Sequence, residues 1–375
     1  MENSKQPHAS GITPNPFREK SRDRVDISDT PSNHASPPQN QISLPARLQS
    51  NQGRRFMGKV AWTTQFAIAT TILCLVPLFG LTRNTWAQEP TKAEIASEIE
   101  NLKKGDEFLV EDAVDALRKL GSPAIPQLIE ALQSENLQVR QGAVDALGRI
   151  GQPAIPALLE GLESDKEQVR WGAANALGIV GSYAKEAVPD LIEALQDKEA
   201  RVRSSAADAL GGIGRDAKVA VPDLIEALQD KEARVRSSAA YGLGGIESDA
   251  KEAVPNLIEA LQDKEARVRS SAAYGLGGIG HDAKDAIPDL SKALQDSDKD
   301  VRRNAAWALG RIGHDTKGAV SDLSKALQDP DKDVRISAAF AFYFIGVEAK
   351  EAVPDLKAAL QDSDKYVRGN AAYAL

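Results

Sequence analysis

Few side chains in this 375-residue chain have types or spacing suited to covalent chemistry. Four histidines occur, at His8, His34, His281 and His314, with a single cysteine, Cys74. His281-Asp282 and His314-Asp315 recur where Arg215-Asp216 also stands, so the pair reads as a turn with an Asp helix cap, and only distantly as a metal site. HExxH, GxSxG and a phosphate-cradling glycine loop are all missing, and the Gly-Gly pairs at 211–212, 244–245 and 277–278 close helical patterns instead of following strands. No catalytic residue, metal or cofactor is expected. The residues with promise are of another kind. Asp208, Tyr241, Tyr274, Trp307, Phe340 and Tyr373 stand 33 residues apart, continuing a column that begins with Asp145 and Asn175. One helical turn earlier come Trp171 and Arg303, and one turn later Arg311 and Phe344. Large rings and guanidinium groups are the material of protein-binding hot spots.

The elements that must position them follow from a repeat. Val-Arg recurs at Val139-Arg140, Val169-Arg170, Val202-Arg203, Val235-Arg236, Val268-Arg269, Val301-Arg302, Val334-Arg335 and Val367-Arg368, with a first step of 30 residues and 33 thereafter. A fixed period in this range predicts a stacked array. The unit 187–214 holds two helical patterns. The first, over about 187–196, carries Val188, Leu191, Ile192 and Leu195 at helical spacing, with Pro189 in its first turn, where a missing N–H costs nothing. The second, over about 198–213, has the apolar stripe Val202, Ala206, Leu210 and Ile213. Asp197 sits where its N-cap belongs, and Gly214 stops it. Neither helix can bury its stripe alone, so pairs must stack. Second helices of such pairs line the concave side, which puts Trp171, Tyr241, Tyr274, Arg303, Trp307, Arg311, Phe340, Phe344 and Tyr373 on a groove for a protein or peptide. The alternative is that these rings merely pack on adjacent helices. Arg201, Arg234 and Arg267 form a second column, either a solvated charge face or an anion stripe.

Ankyrin and tetratricopeptide signatures are absent. The residues Pro189…Leu195…Asp197…Val202-Arg203…Ala206…Leu210…Gly214 resemble a HEAT repeat, in the short form of phycobilin-lyase-like proteins, over about residues 107–375. The resemblance implies an all-α fold: an α-solenoid of about eight stacked two-helix repeats over 123–375, with N-terminal helices and a cap in 88–122. It also implies a structural Asp–Arg ladder between repeats. Its members here are Asp197 and Arg203, Asp230 and Arg236, Asp263 and Arg269, Asp296 and Arg302, Asp329 and Arg335, and Asp362 and Arg368. The first two repeats depart, with Ser134 and Ser164 at the Asp position. Two enzymatic relatives share the resemblance. Phycobilin lyases of the HEAT type attach linear tetrapyrroles to antenna proteins, and the aromatic and Arg stripe suits a bilin. Deoxyhypusine hydroxylase uses His-Glu pairs for its iron, and this chain has no His-Glu dipeptide.

Ahead of the array, residues 1–55 have the Ser-, Pro-, Asn- and Gln-rich composition of a disordered leader. Residues 56–87 read as a signal peptide or a membrane anchor: Arg54-Arg55 and Lys59 precede the uncharged stretch Val60–Leu81, and Thr85-Trp86-Ala87 resembles a cleavage site. The array is therefore expected on the far side of a membrane, exported or tethered, with membrane contact only through 56–87. Met57 is a candidate start for such a signal, and Leu375 falls within a helical pattern with no polar cap after it. Residues 1–87 hold 10 of the 46 Lys and Arg and 5 of the 54 Asp and Glu, leaving 36 against 49, a net of −13. So acidic an array repels phosphate backbones, and nucleic acid is not expected as a partner. The expected function is a binding scaffold, with a bilin-lyase-like chaperone as the alternative.

Overall fold

The computed structural model describes residues 90–104 and 106–375. The leader (1–55) and the signal or anchor (56–87) lie outside the described residues. Among the described residues the chain is wholly helical, without a strand. Two N-terminal helices, α1 (Lys92–Asn101) and α2 (Glu107–Leu120), are followed by eight helix pairs. The short first helices are α3 (Ile125–Ala131), α5 (Ile155–Leu162), α7 (Val188–Ala194), α9 (Val221–Ala227), α11 (Val254–Ala260), α13 (Ile287–Ala293), α15 (Val320–Ala326) and α17 (Val353–Ala359). The longer second helices are α4 (Leu137–Ile150), α6 (Glu167–Val180), α8 (Ala200–Ile213), α10 (Ala233–Gly245), α12 (Ala266–Ile279), α14 (Lys299–Ile312), α16 (Lys332–Ile345) and α18 (Lys365–Ala374). In every pair but the second the first helix is shorter than its apolar spacing predicts, because Leu195 and its copies there already belong to a closing turn, whereas Leu162 stays in its helix. The repeats are joined by 3-10 stretches such as Gly214–Ala220, which the sequence shows only as a turn.

One expectation is corrected here. Among the described residues no helix is long and apolar enough to cross a membrane. The tethered arrangement rested on residues 60–81, which fall outside them, so membrane contact and a membrane-defined location have no support in the structure.

The apolar stripes are buried as their spacing requires. Val202, Ala206, Leu210 and Ile213 on α8 are inaccessible to solvent or nearly so, as are Val188 and Leu191 of the paired helix and Leu195 of the turn that closes it. All belong to one continuous core running along the array. Successive second helices touch along their lengths, whereas successive first helices barely meet. The second helices therefore lie on the inner radius of the stack. Glycine makes this approach possible: a Cβ on Gly211 of α8 would lie 2.6 Å from the Cα of Gly242 on α10.

The aspartates that sequence places at the second-helix N-cap do not cap. Asp197 Oδ1 instead accepts the backbone N–H of Glu199 two residues on, at 2.8 Å. The true cap is that second residue. Asn136, Asp298, Asp331 and Asp364 cap their helices through side-chain oxygens. Glu199, Glu232 and Glu265 occupy the same place in the middle repeats without a side-chain cap, a glutamate being one methylene too long. Second helices end on left-handed glycines, as at Gly214, Gly280, Gly313 and Gly346. In that column Glu247 takes φ of 61° with a Cβ attached.

Candidate functional site

The inner face of α10, α12 and α14 carries a column of stacked rings. Tyr241 and Tyr274 lie 4.9 Å apart between ring centroids and 12° from parallel. Tyr274 and Trp307 follow at 5.1 Å and 7°. The stack exists because one helix position repeats at each layer while glycines let the layers close up. The indole of Trp307 packs directly over Gly277, where a Cβ would clash with it. The rings thus pack on each other across helices and still present their outer edges: Tyr241 is 37% exposed, and Tyr274 and Trp307 are half-buried. Burial, with Tyr274 and then Asp208 nearby, pushes the Tyr241 phenol up to about 12, so it stays neutral and able to donate a hydrogen bond.

One guanidinium flanks the stack, and another covers a separate ring. The Arg311 Cζ lies 5.9 Å from the Trp307 ring centroid, and the Arg201 Cζ sits 3.9 Å over the ring of Trp171. Both are cation–π arrangements. Trp171 is only 8% exposed, so it serves as the floor under Arg201 rather than as a contact surface. Arg303 is turned to Asp300 on its own helix at 2.9 Å. Phe340 and Phe344 form a separate edge-to-face pair 4.8 Å apart, and Tyr343 continues it at 5.1 Å from Phe344. Tyr373 is 78% exposed and in none of these ring contacts. The predicted surface is therefore two clusters: a parallel stack in repeats 4 to 6 and an edge-to-face cluster in repeat 7.

One member was not predicted, and the column's Asp208 has an environment the sequence did not show. Tyr343, more than half exposed, stands where Gly211, Gly244, Gly277 and Gly310 occur in the preceding repeats; that substitution is the signal. Asp208 holds the ring position of repeat 3. Burial pushes its carboxyl up to about 6, against the Ser238 hydroxyl and Arg234, which pull it down. Its ionised form is therefore disfavoured at this end of the stack relative to a free carboxylate. His8 and His34 lie outside the described residues, and the two described histidines do not gather. The Nδ1 atom of His314 lies 3.1 Å from the Ile345 carbonyl, and His281 lies 3.7 Å from Asp315. No group of three or more potential metal ligands exists among the described residues.

The ladder residues meet one layer further on than their pairing by repeat suggests. Arg203 places Nε and Nη2 on the two carboxylate oxygens of Asp230 in the next repeat, at 2.7 and 3.0 Å. Its Nη1 donates to the backbone carbonyl of its own Asp197 at 2.8 Å. The same fork joins Arg236 to Asp263, Arg269 to Asp296, Arg302 to Asp329 and Arg335 to Asp362. Arg368 reaches the backbone carbonyl of Asp362. Burial pushes the Asp197 carboxyl up, but the Arg170 guanidinium and the Glu199 N–H outweigh it and hold it below the usual carboxylate range. Ser134 costs no rung, while Ser164 costs one. Arg170 of that repeat still pairs with Asp197 at 2.6 Å, but Arg140 finds no carboxylate ahead of it. Its Nε is the one buried side-chain nitrogen or oxygen among the described residues that lacks a hydrogen-bond partner.

A family model described as HEAT repeats matches residues 99–178, 155–244, 221–290, 254–342 and 320–375. The chain belongs to the HEAT-repeat family. The search of curated proteins gives no match. The HEAT array is similar in structure to YibA of E. coli, with 23% identity, 72% of this chain and 97% of that one covered, and a TM-score of 0.52. An engineered protein aligns with 82% of this chain and 90% of its own, at 23% identity and a TM-score of 0.46. The CpcE–CpcF complex of phycocyanin lyase from Nostoc sp. PCC7120 covers 59% of this chain and 94% of its own, at 27% identity and a TM-score of 0.42. The likeness to YibA is one of fold alone.

Proposed function

We propose that this HEAT array is a binding scaffold that takes a protein or peptide on the inner face of its second helices and does no chemistry of its own. The observation that carries the reading is the Tyr241–Tyr274–Trp307 stack, three large rings in register with their edges open and the Arg311 guanidinium beside Trp307. Such rings offer large contact area at little entropic cost, because packing already fixes their rotamers. The test is capture of interacting protein by the full chain and by a variant with Tyr241, Tyr274 and Trp307 changed to Ser. Lost capture with an unchanged melting midpoint supports the groove. A collapsed fold would show that the rings serve only as core.

A second reading is a phycobilin-lyase-like chaperone for antenna proteins, of the subtype that the sequence resembles. The observation favouring it is the juxtaposition of planar rings with Arg201, Arg234 and Arg267, since a bilin offers a conjugated plane and two carboxylates. Adding bilin to the purified chain separates the two. A red-shifted, protein-dependent absorbance band that the ring variant lacks favours the chaperone, and an unchanged bilin spectrum favours the scaffold.

A further inference from the structure

The molecule is acidic, yet the inner face of repeats 3 to 5 is not. Arg201, Arg234 and Arg267 stand at the second position of α8, α10 and α12, one per layer. Among the described residues none of the three has a carboxylate within ion-pair distance, whereas the ladder arginines beside them are all committed. Arg234 and Arg267 are exposed, and Arg201 is held flat over Trp171. The N-termini of these helices also lack side-chain caps, so their partial positive charge adds to the row. In repeats 6 and 7 the row reads Asp300 and Asp333, and the positive strip ends there. Between the arginine row and the ring column lies a row of small residues, Ser204, Ser237 and Ser270, and beyond the rings stand Gly212, Gly245 and Gly278. A ligand backbone meets no bulk there.

We infer that the partner of this face is an acidic, extended polypeptide segment, whose carboxylates pair with Arg201, Arg234 and Arg267 while its apolar side chains lie on the Tyr241–Tyr274–Trp307 stack. This rests on the scaffold reading above and names the chemistry of its ligand. Charge complementarity makes the choice. Three separated guanidinium groups without a carboxylate at ion-pair distance fit discrete carboxylates. Glu199, Glu232 and Glu265 border the row, so the positive charge is confined to separate points that seat spaced carboxylates and not a continuous polyphosphate.

The experiment uses the full chain and three labelled probes: a short peptide alternating Glu and Leu, the same peptide with Lys for Glu, and an oligothymidylate of matched length. Fluorescence anisotropy is read for the parent, for R234Q/R267Q and for Y241S/Y274S, with circular dichroism checking the fold of each. R234Q/R267Q leaves the Arg201–Trp171 contact in place, so it tests charge without unpacking the floor. The expected result is binding of the Glu peptide alone, weakened about tenfold by R234Q/R267Q and by added salt. Equal binding of the Glu and Lys peptides, or an unchanged affinity in R234Q/R267Q, overturns the acidic partner. If Y241S/Y274S still loses binding in that case, the groove stands and only its charge preference falls. Binding of the oligothymidylate as tight as that of the Glu peptide overturns the inference in favour of a nucleic acid. Absence of binding by any probe overturns it too, leaving the scaffold reading to its own capture test.

Discussion

At the residue scale, Asp208 and Glu247 are the two positions whose environments oppose them. The Asp208 carboxyl is raised to about 6, so its ionised form is disfavoured in the folded chain. A raised carboxyl contributes most when protonated, and that contribution is lost as pH climbs from the unfolded value of 3.8 through the folded one. Asp208→Asn should therefore stabilise the protein by roughly 1–3 kcal/mol at pH 8, and the gain should vanish by about pH 4. Urea midpoints of both proteins across that range check the sign; a gain independent of pH would mean that burial of Asp208 has been misjudged. The ladder aspartates carry the opposite sign. Asp230 and Asp263 are held low, by Arg203 and Arg236 and by the following N–H against the push of burial. Their contribution is complete above the ordinary carboxylate range and falls away as pH drops through it. Glu247 holds a left-handed φ of 61° in a column of glycines, secured by an ion pair from Arg215 at 2.7 Å. The exposed ion pair is worth less than the strain. Glu247→Gly should raise stability by about 1 kcal/mol, measured by thermal unfolding, and a loss would show that the Arg215 contact dominates.

At the scale of the helix, close approach decides what the inner face can be. Gly211→Ala puts a methyl 2.6 Å from the Cα of Gly242 on the next helix, and backbone cannot yield as a side chain can. Destabilisation of about 1–3 kcal/mol is expected, with Gly318→Ala, which meets nothing within 4 Å, as the neutral control. A Gly211→Ala protein as stable as its parent would mean that the helices have room to part. Much of this level was readable beforehand. Val202, Ala206, Leu210 and Ile213 declared the buried stripe through their spacing, and Gly214 declared the helix end. The cap was misread because in repeats such as the sixth Asp296 and Asp298 both look like caps, and only backbone geometry shows which carboxylate faces which N–H. The ladder register was equally hidden: spacing says that Asp197 and Arg203 lie near each other, but not that the guanidinium reaches forward to Asp230. The ring column was legible as a position, whereas its stacking depended on how closely glycine lets layers approach, which no single repeat reveals.

At the scale of the whole array, each repeat leans only on its neighbours, so stability is a chain of junctions rather than a single quantity. The junction between repeats 1 and 2 is the weak one. Arg140 has an orphaned Nε there, while the junctions from Arg170 onward are all forked onto carboxylates. Hydrogen exchange should be faster in 92–150 than in α8 to α12, and Ser164→Asp, which supplies the missing partner, should narrow the gap. Uniform protection along the array in the parent protein would remove this reading. The middle of the array has a different property. The segment LIEALQDKEARVRSSAA occurs identically three times, and the seams on either side of repeat 4 carry the same Arg–Asp fork at 2.7 Å. Because those seams are interchangeable, slippage between the copies during replication or recombination would add or delete a whole layer and leave every remaining joint intact. Each added copy of repeat 4 or 5 brings one more tyrosine to the column and one more arginine to the row beside it. Lineages carrying this chain can thereby change the reach of the inner face in steps of one module without redesigning any contact.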